Sequence, residues 1–305
     1  MAAPELKEGM RTANLDTAAP GQPVPGIPAD GTDLRSVMGE PDLKQLVQEI
    51  LLWPAYAAYE RALEKSIENR PLPNHVGVIL DGNRRFAIEA RFGDYSFGHD
   101  VGAKKVRQFL IWCLELGLKR ITFFAFSTEN FSRPRREVDH IMSLIEAKLY
   151  ELAEDEIVHE KKVRIQVVGQ RDLLPDSLTE AAKVAEEATA SYQDHYLYVA
   201  VAYGGRAEIL EAIRSIMQKV ASGNLSPSKI TEATICESLY VPGTDRVDLV
   251  IRTSGEKRIS NFLLWQSTNS LLCFLDVYWP AIRRIDLLRA IRLYQKRRAS
   301  EEILD

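Results

Sequence analysis

The sequence predicts an α/β fold, a single domain with a mainly parallel central sheet flanked by helices. Short apolar, β-branched runs recur from His75 onward, and amphipathic helical patterns separate them. Two of the runs stop abruptly in small and charged residues, as a buried parallel strand does where it delivers its C-terminal end to a ligand crevice. At 305 residues and 46% hydrophobic, the chain can bury one large core.

Taken in order, residues 1–40 are rich in Pro, Gly, Ala and Asp (Pro20, Gly21, Pro23, Pro25, Gly26, Pro28) and read as a disordered N-terminal extension. Residues 41–70 form a helical N-terminal segment, with Leu46, Val47, Ile50, Leu51, Tyr56, Tyr59 and Leu63 in helical register and Pro54 dividing or kinking it. Its aromatic stripe, Trp53, Tyr56 and Tyr59, either packs on the domain or touches lipid or a long apolar substrate. Strands are expected over 76–80, 120–126, 163–168, 196–203 and 248–252, with a shorter one over 272–275. Helices fall between them. Val106, Phe109, Leu110, Cys113 and Leu114 give one apolar face, and Val138, Ile141, Met142, Ile145, Leu149 and Leu152 another. Further helices are expected over 177–191, 206–221 and 285–298. The domain therefore spans 71–298, with a C-terminal tail over 299–305 and no internal repeat or second domain.

Composition excludes several classes. A net charge of −4 argues against general nucleic-acid binding. Cys113, Cys236 and Cys273 are far apart in apolar surroundings without metal-ligand spacing, so they read as reduced core thiols. No signal peptide is evident, and no apolar stretch approaches the roughly 20 residues of a membrane span. A cytoplasmic location follows as the expectation. Ser–His–Asp order, P-loop, GxGxxG and HExxH motifs are all missing.

The chemistry concentrates beyond the strand ends. After the first strand come Asp81, Gly82, Asn83, Arg84 and Arg85. After the fifth come Arg252 and Arg258, with the Ser260 hydroxyl close behind. Guanidinium forks match phosphate oxygens, and an aspartate among them makes sense if a divalent metal lies between it and the anion. A polyphosphate ester held with Mg²⁺ fits that set. The segment from Ala125 to Pro134 places Phe126 and Phe131 beside Asn130 and Arg133, as an apolar chain with an anionic head would require; Pro134 reads as helix position N1, capped by Arg133 or Ser132. Gly204-Gly205-Arg206 is either a packing turn or a ligand contact. His99, at a helix start near the first loop, either caps that helix or reaches the phosphates.

These residues match a known family. Residues 75–87, Phe97-Gly98-His99, 126–134, 203–206, 247–266 and 276–280 stand in order and at similar spacing, and the chain resembles the cis-prenyltransferases, the undecaprenyl diphosphate synthase family. The resemblance implies an apolar substrate tunnel, a homodimer and Mg²⁺. It implies condensation of isopentenyl diphosphate with an allylic diphosphate to a Z-polyprenyl diphosphate, a glycosyl-carrier lipid precursor, with peripheral membrane contact for long products. By the same resemblance Asp81 is the metal ligand and Asn130 is tied to the proton-loss step. Gly82, Asn83, Arg84, Arg85 and His99 surround the allylic diphosphate, and Phe86 (usually tryptophan in the family) is a wall contact. Ser127, Thr128, Glu129, Phe131 and Arg133 orient the substrates. Arg252, Arg258, Ile259 and Ser260 hold isopentenyl diphosphate.

Three departures accompany the resemblance. Leu271 stands where a second metal-ligand glutamate is expected, and restoring it is expected to lower the Mg²⁺ requirement. The Arg-x-Gly tail is missing. A conventional arginine is displaced, with Arg91 earlier and Asp94-Tyr95 before Ser96. The alternatives are a same-fold enzyme with a different acceptor or a diphosphate-loss reaction, and a non-catalytic partner subunit. The intact Asp81 and Asn130 argue against the last.

Overall fold

The computed structural model describes residues 56–241 and 246–301. The disorder expected over 1–40, the helix expected over 41–55 with Trp53 and Pro54, and the last four residues of the tail lie outside the described residues. Strands β1 (His75–Ile79), β2 (Arg120–Phe124), β3 (Val163–Val168), β4 (His195–Ala200), β5 (Leu249–Arg252) and β6 (Leu271–Phe274) form one sheet in the order β3-β4-β2-β1-β5-β6. Every neighbouring pair is parallel. The helices are α1 (residues 56–67), α2 (Asn83–Glu89), α3 (Ser96–Glu115), α4 (Arg135–Ala153), α5 (Glu156–Glu160), α6 (Asp176–Ala188), α7 (Gly205–Ala221), α8 (Glu232–Cys236) and α9 (Arg284–Glu301).

Burial explains why the strands were legible as apolar runs. Central β1 is buried at every position, whereas the edge strands β3 and β6 carry partly exposed residues. One sheet face supports a large cluster in which Val78, Ile121, Phe123, Ile165 and Leu197 meet Phe109, Leu149, Leu178 and Ile291. The other face holds a smaller cluster, with Ile79, Phe124 and Val250 against Tyr203, Phe262 and Leu263. Leu63 and Ile67 of α1 join the large cluster, while Tyr56 and Tyr59 stay exposed beneath the guanidinium groups of Arg283 and Arg289. Cys113 and Cys273 are buried free thiols, as expected, and burial pushes both up from their ordinary pKa. Among the described residues no helix is long and apolar enough to cross a membrane.

The chain leaves β1 toward β2 but leaves β5 toward β6, in opposite directions across the sheet. Adjacent strands whose connections diverge leave a crevice beyond their carboxyl ends. Asp81 follows β1 there, and Thr253 follows β5.

Several boundaries differ from expectation. The strands expected over 120–126 and 196–203 stop at Phe124 and Ala200. The amides of Ala125 and Phe126 both donate to Ala200 O, which ends the ladder, and Ala202 turns the chain with a φ of 48°. Only Ser127 and Tyr203 pair again, as an isolated bridge. Pro134 is the N-cap of α4 and not its first residue, and neither Ser132 nor Arg133 caps it. Ser132 Oγ instead donates to Glu129 O at 2.8 Å. Helix α9 continues to Glu301, three residues into the stretch read as a tail.

Leu271 occupies an unexpected place. It pairs with Leu249, which pairs with Val76, so it sits at the N-terminal end of β6. Asp81 lies five residues beyond Val76, about 16 Å along the strand direction at roughly 3.3 Å per residue. A carboxylate at position 271 cannot share a metal with Asp81 of the same chain.

Candidate functional site

A cavity of about 830 Å³ opens at the carboxyl ends of β1 and β5. Its floor is built around Asp81. The Asp81 amide donates to Thr253 Oγ1 at 3.0 Å, and that hydroxyl donates back to Asp81 O at 2.6 Å. The next residue must be glycine. Gly82 has a φ of +105°, and a Cβ there would lie 2.6 Å from the Tyr278 ring. It opens α2, whose N-terminus therefore faces the cavity without a side-chain cap. Gly98 plays a second close-packing role, because a Cβ at that position would lie 2.0 Å from Asn83 O.

Arg252 is 4% exposed and fully engaged. Its Nε and Nη2 donate to Asp81 Oδ2 at 3.2 and 2.7 Å. Its Nη1 donates to Ser260 Oγ at 2.7 Å and to Arg258 O. Burial opposes ionisation of the Asp81 carboxyl. The hydrogen bonds and charge of Arg252, helped by Ser254 and Arg85, outweigh that and hold it below the usual carboxylate range. Arg85 donates to Ser254 Oγ at 2.6 Å and Ser254 O at 3.2 Å, lies 3.5 Å from Asp81 Oδ1, and stacks on Tyr278. Glu256 bridges Arg85 and Arg258.

The opposite wall carries Arg84, His99 and Arg133, and all three converge on Glu137 behind it. His99 lies in the first turn of α3 and does not cap it. Burial lowers its pKa, and the hydrogen bond to Glu137 offsets this only in part. Asn130 Oδ1 accepts the Ser127 amide at 3.1 Å, closing a capping box over residues 127–130. Asn130 keeps its NH₂ group and a second lone pair on Oδ1 for a ligand. Glu129 accepts from Asn261 Nδ2 at 2.9 Å, while Asn261 Oδ1 accepts the Arg206 amide at 2.9 Å, so Asn261 ties three loops together. Behind them Gln266 donates to both oxygens of buried Glu208, at 3.2 and 3.1 Å, and Tyr203 donates to it at 2.5 Å. That cluster anchors the loop after β5 to α7.

The cavity brings together Asp81, Gly82, Asn83, Arg84, Arg85, His99, Ser127, Glu129, Asn130, Arg133, Arg252, Arg258 and Ser260. Phe86, Thr128, Phe131 and Ile259 do not line it. Phe86 is the fourth residue of α2 and is half-buried; Phe131 packs edge-on against Phe126. Arg206, Asn261 and Leu264 line the cavity without having been singled out as site residues, as does the apolar group Ile79, Leu80 and Phe124. Their sequence signals were the Gly-Gly-Arg turn and the Ser260-Asn261 step. A second, apolar cavity of about 90 Å³ runs between α3, α4 and the sheet. It shares Leu80, Asn83, His99, Ala125 and Ile141 with the first, so the two adjoin.

Among the described residues no group of three or more His, Cys, Asp or Glu side chains could enclose a metal. Asp81 offers one carboxylate at the cavity, with Oδ2 held by Arg252 and Oδ1 3.5 Å from Arg85. That suits a cation held jointly with ligand oxygens, as Mg²⁺ is at phosphate sites.

Residues 79–301 match the prenyltransferase family described as undecaprenyl diphosphate synthase. The chain is 49% identical over 255 residues to a tritrans,polycis-undecaprenyl-diphosphate synthase (geranylgeranyl-diphosphate specific) of Methanopyrus kandleri, covering 84% of this chain and 93% of that one. An Archaeoglobus fulgidus protein of the same name is 48% identical, covering 80% and 98%. In three dimensions the chain is similar to lavandulyl diphosphate synthase from Lavandula x intermedia in complex with dimethylallyl diphosphate, with a TM-score of 0.69, 34% identity, and 73% and 95% coverage. A probable undecaprenyl diphosphate synthase from Campylobacter jejuni gives a TM-score of 0.61 at 29% identity, with 74% and 95% coverage.

Proposed function

The chain belongs to the undecaprenyl diphosphate synthase family, and from that premise we propose that it condenses isopentenyl diphosphate with an allylic diphosphate to give a Z-polyprenyl diphosphate. One observation carries the reading. A strongly cationic cavity at the strand ends shares a wall with an apolar one, which is what an anionic head on a hydrocarbon chain requires. Geranylgeranyl diphosphate is the proposed starter, because the archaeal relatives at nearly half identity are named as specific for it.

In this reading Arg84, Arg85, His99 and Arg133 hold the allylic diphosphate, with the backbone of Gly82 and Asn83. Arg258 and Ser260 hold isopentenyl diphosphate, and Arg252 fixes their loop to Asp81. Charge developing on the leaving diphosphate meets donors already in place. Mg²⁺, held by Asp81 and substrate oxygens, would add Lewis-acid stabilisation of that charge. Asn130, whose side-chain amide is held by Ser127 and is not basic, orients a substrate group and does not itself take the proton. The apolar cavity is the start of the hydrocarbon tunnel, with Ala125 small at its mouth. Tyr56 and Tyr59, exposed under two arginines, support a peripheral lipid contact for long products.

Incubation with Mg²⁺, labelled isopentenyl diphosphate and dimethylallyl, geranyl, farnesyl or geranylgeranyl diphosphate tests the proposal. Chain-extended product is expected, most with geranylgeranyl diphosphate. Release of diphosphate without condensation, or no product from any starter, would overturn it.

Two predictions arise here. Leu271→Glu should leave the Mg²⁺ dependence of the rate unchanged, since position 271 lies at the far end of β6; a lowered requirement would mean that the residue reaches a metal after all, from a second protomer. The homodimer is supported by Leu210, Ile213 and Met217, which form one exposed apolar stripe on α7. Sedimentation of Met217→Glu with Ile213→Glu should show a monomer where the unaltered chain is dimeric, and an unchanged mass would remove this face from the interface.

A further inference from the structure

We propose that Glu137 is the positioning residue for the allylic-diphosphate wall, setting Arg84, His99 and Arg133 from a single buried oxygen; this rests on the prenyl-transfer reading above. The three side chains come from different elements: Arg84 from α2, His99 from the first turn of α3, and Arg133 from the turn before α4. All three line the cavity, and Glu137 does not. Its Oε1 accepts from Arg133 Nη1 at 3.1 Å and lies 3.2 Å from His99 Nε2 and 3.7 Å from Arg84 Nε.

Stability alone gives no reason for a carboxylate at this place. The Glu137 side chain is wholly buried, and its Oε2 has no hydrogen-bond partner. An ionised group in that condition is costly, and an apolar residue would pack on the same helix face as Ile141. What the carboxylate supplies is geometry. Arginine side chains lose much rotamer freedom on binding, and a common acceptor removes that freedom before the ligand arrives. Arg84 is held from its other side by the Tyr95 ring, 5.2 Å from its guanidinium carbon. Because the three side chains meet at one point, a shift of any one of them disturbs the others.

Glu137→Gln keeps the shape and one acceptor oxygen but removes the charge. We expect kcat for the first condensation to fall about 10- to 100-fold, the scale of losing near-attack placement. Binding of inorganic pyrophosphate, read by calorimetry, should stay the same or tighten, because a negative charge has left the back of the site. The KM for isopentenyl diphosphate should not move. A kcat equal to that of the unaltered enzyme, or one falling only with the folded fraction seen by thermal melting, would overturn the proposal. In an Arg133→Ala background the same substitution should cost much less, since the pair acts as a unit; fully multiplying losses would also overturn it. Should Glu137→Gln not fold, Arg133→Ala and His99→Gln serve instead, and their combined loss should be smaller than the product of the two. An unaltered chain that forms no product would sink the prenyl-transfer reading itself, a result distinct from an active enzyme indifferent to position 137.

Discussion

Asp81→Ala is expected to abolish most prenyl transfer and to lower the melting temperature as well. On the first count, the substitution removes the carboxylate proposed to share Mg²⁺ with the diphosphate, and losing one such stabilising group costs about 10²–10³-fold in rate. On the second, Arg252 is left behind with its side chain 5% exposed and no counter-charge. Stranding a buried charge costs about 3–5 kcal/mol, and the low end applies because water reaches the 29% exposed Asp81 side chain. Asp81→Asn separates the two effects, since its amide oxygen still accepts from Arg252 while the charge is gone. It should recover part of the melting temperature and little of the turnover. Near-normal product formation by either variant would remove Asp81 from the mechanism.

The same carboxylate makes stability depend on pH with a definite sign. Its folded pKa lies below the ordinary value of 3.8, so the folded state favours the ionised form. The stability it contributes is complete above that ordinary value and is lost as pH falls through the lower folded one. Melting temperatures of the unaltered chain and Asp81→Asn should therefore differ most near neutrality and converge in acid. A constant gap across the range would show that the Arg252 pair does not govern the titration.

The strands and the cationic loops were legible in the sequence for one physical reason. A parallel strand covered on both faces is mostly apolar, so a charged residue closing such a run marks its carboxyl end, and at Asp81 and Arg252 that end opens on the cationic cavity. Residues positioned by distant loops were not legible in this way. Glu137 in the first turn of α4 reads as an ordinary helix-dipole acid, although its spacing to Ile141 and Leu144 places it on the buried stripe. Asn261 gains its role only where the loops carrying Glu129 and Arg206 meet it. The overlong strands at 120–126 and 196–203 arose because Phe126 and Tyr203 are apolar and buried after the ladder has ended. Leu271 shows the converse: a motif offset located the residue in the chain but could not say at which end of β6 it would stand.

Arg252→Ala should prove more damaging than Arg258→Ala, although both belong to the proposed isopentenyl diphosphate side. Arg258 has a side chain 64% exposed and paired with Glu256, so its loss should raise the KM for isopentenyl diphosphate with little change in melting. A charge-assisted contact is worth about 1.5–3 kcal/mol, which is roughly 10- to 100-fold in KM. Arg252 joins the two halves of the floor: one edge of its guanidinium holds Asp81, and the other holds Ser260 and the Arg258 carbonyl. Ser260, Asn261 and Leu263 all sit at positive φ, 48°, 63° and 45°, so the loop it restrains is in a conformation costly to keep without such contacts. Removing Arg252 should therefore lower kcat, raise the KM for both substrates and reduce the melting temperature together. Arg252→Lys should not rescue it, because a single ammonium cannot span two partners that a planar fork reaches from opposite edges. If the lysine variant kept normal kcat and melting, or if Arg252→Ala merely repeated the KM effect of Arg258→Ala, Arg252 would be a simple anion contact and the link between the two halves of the site would have to lie elsewhere.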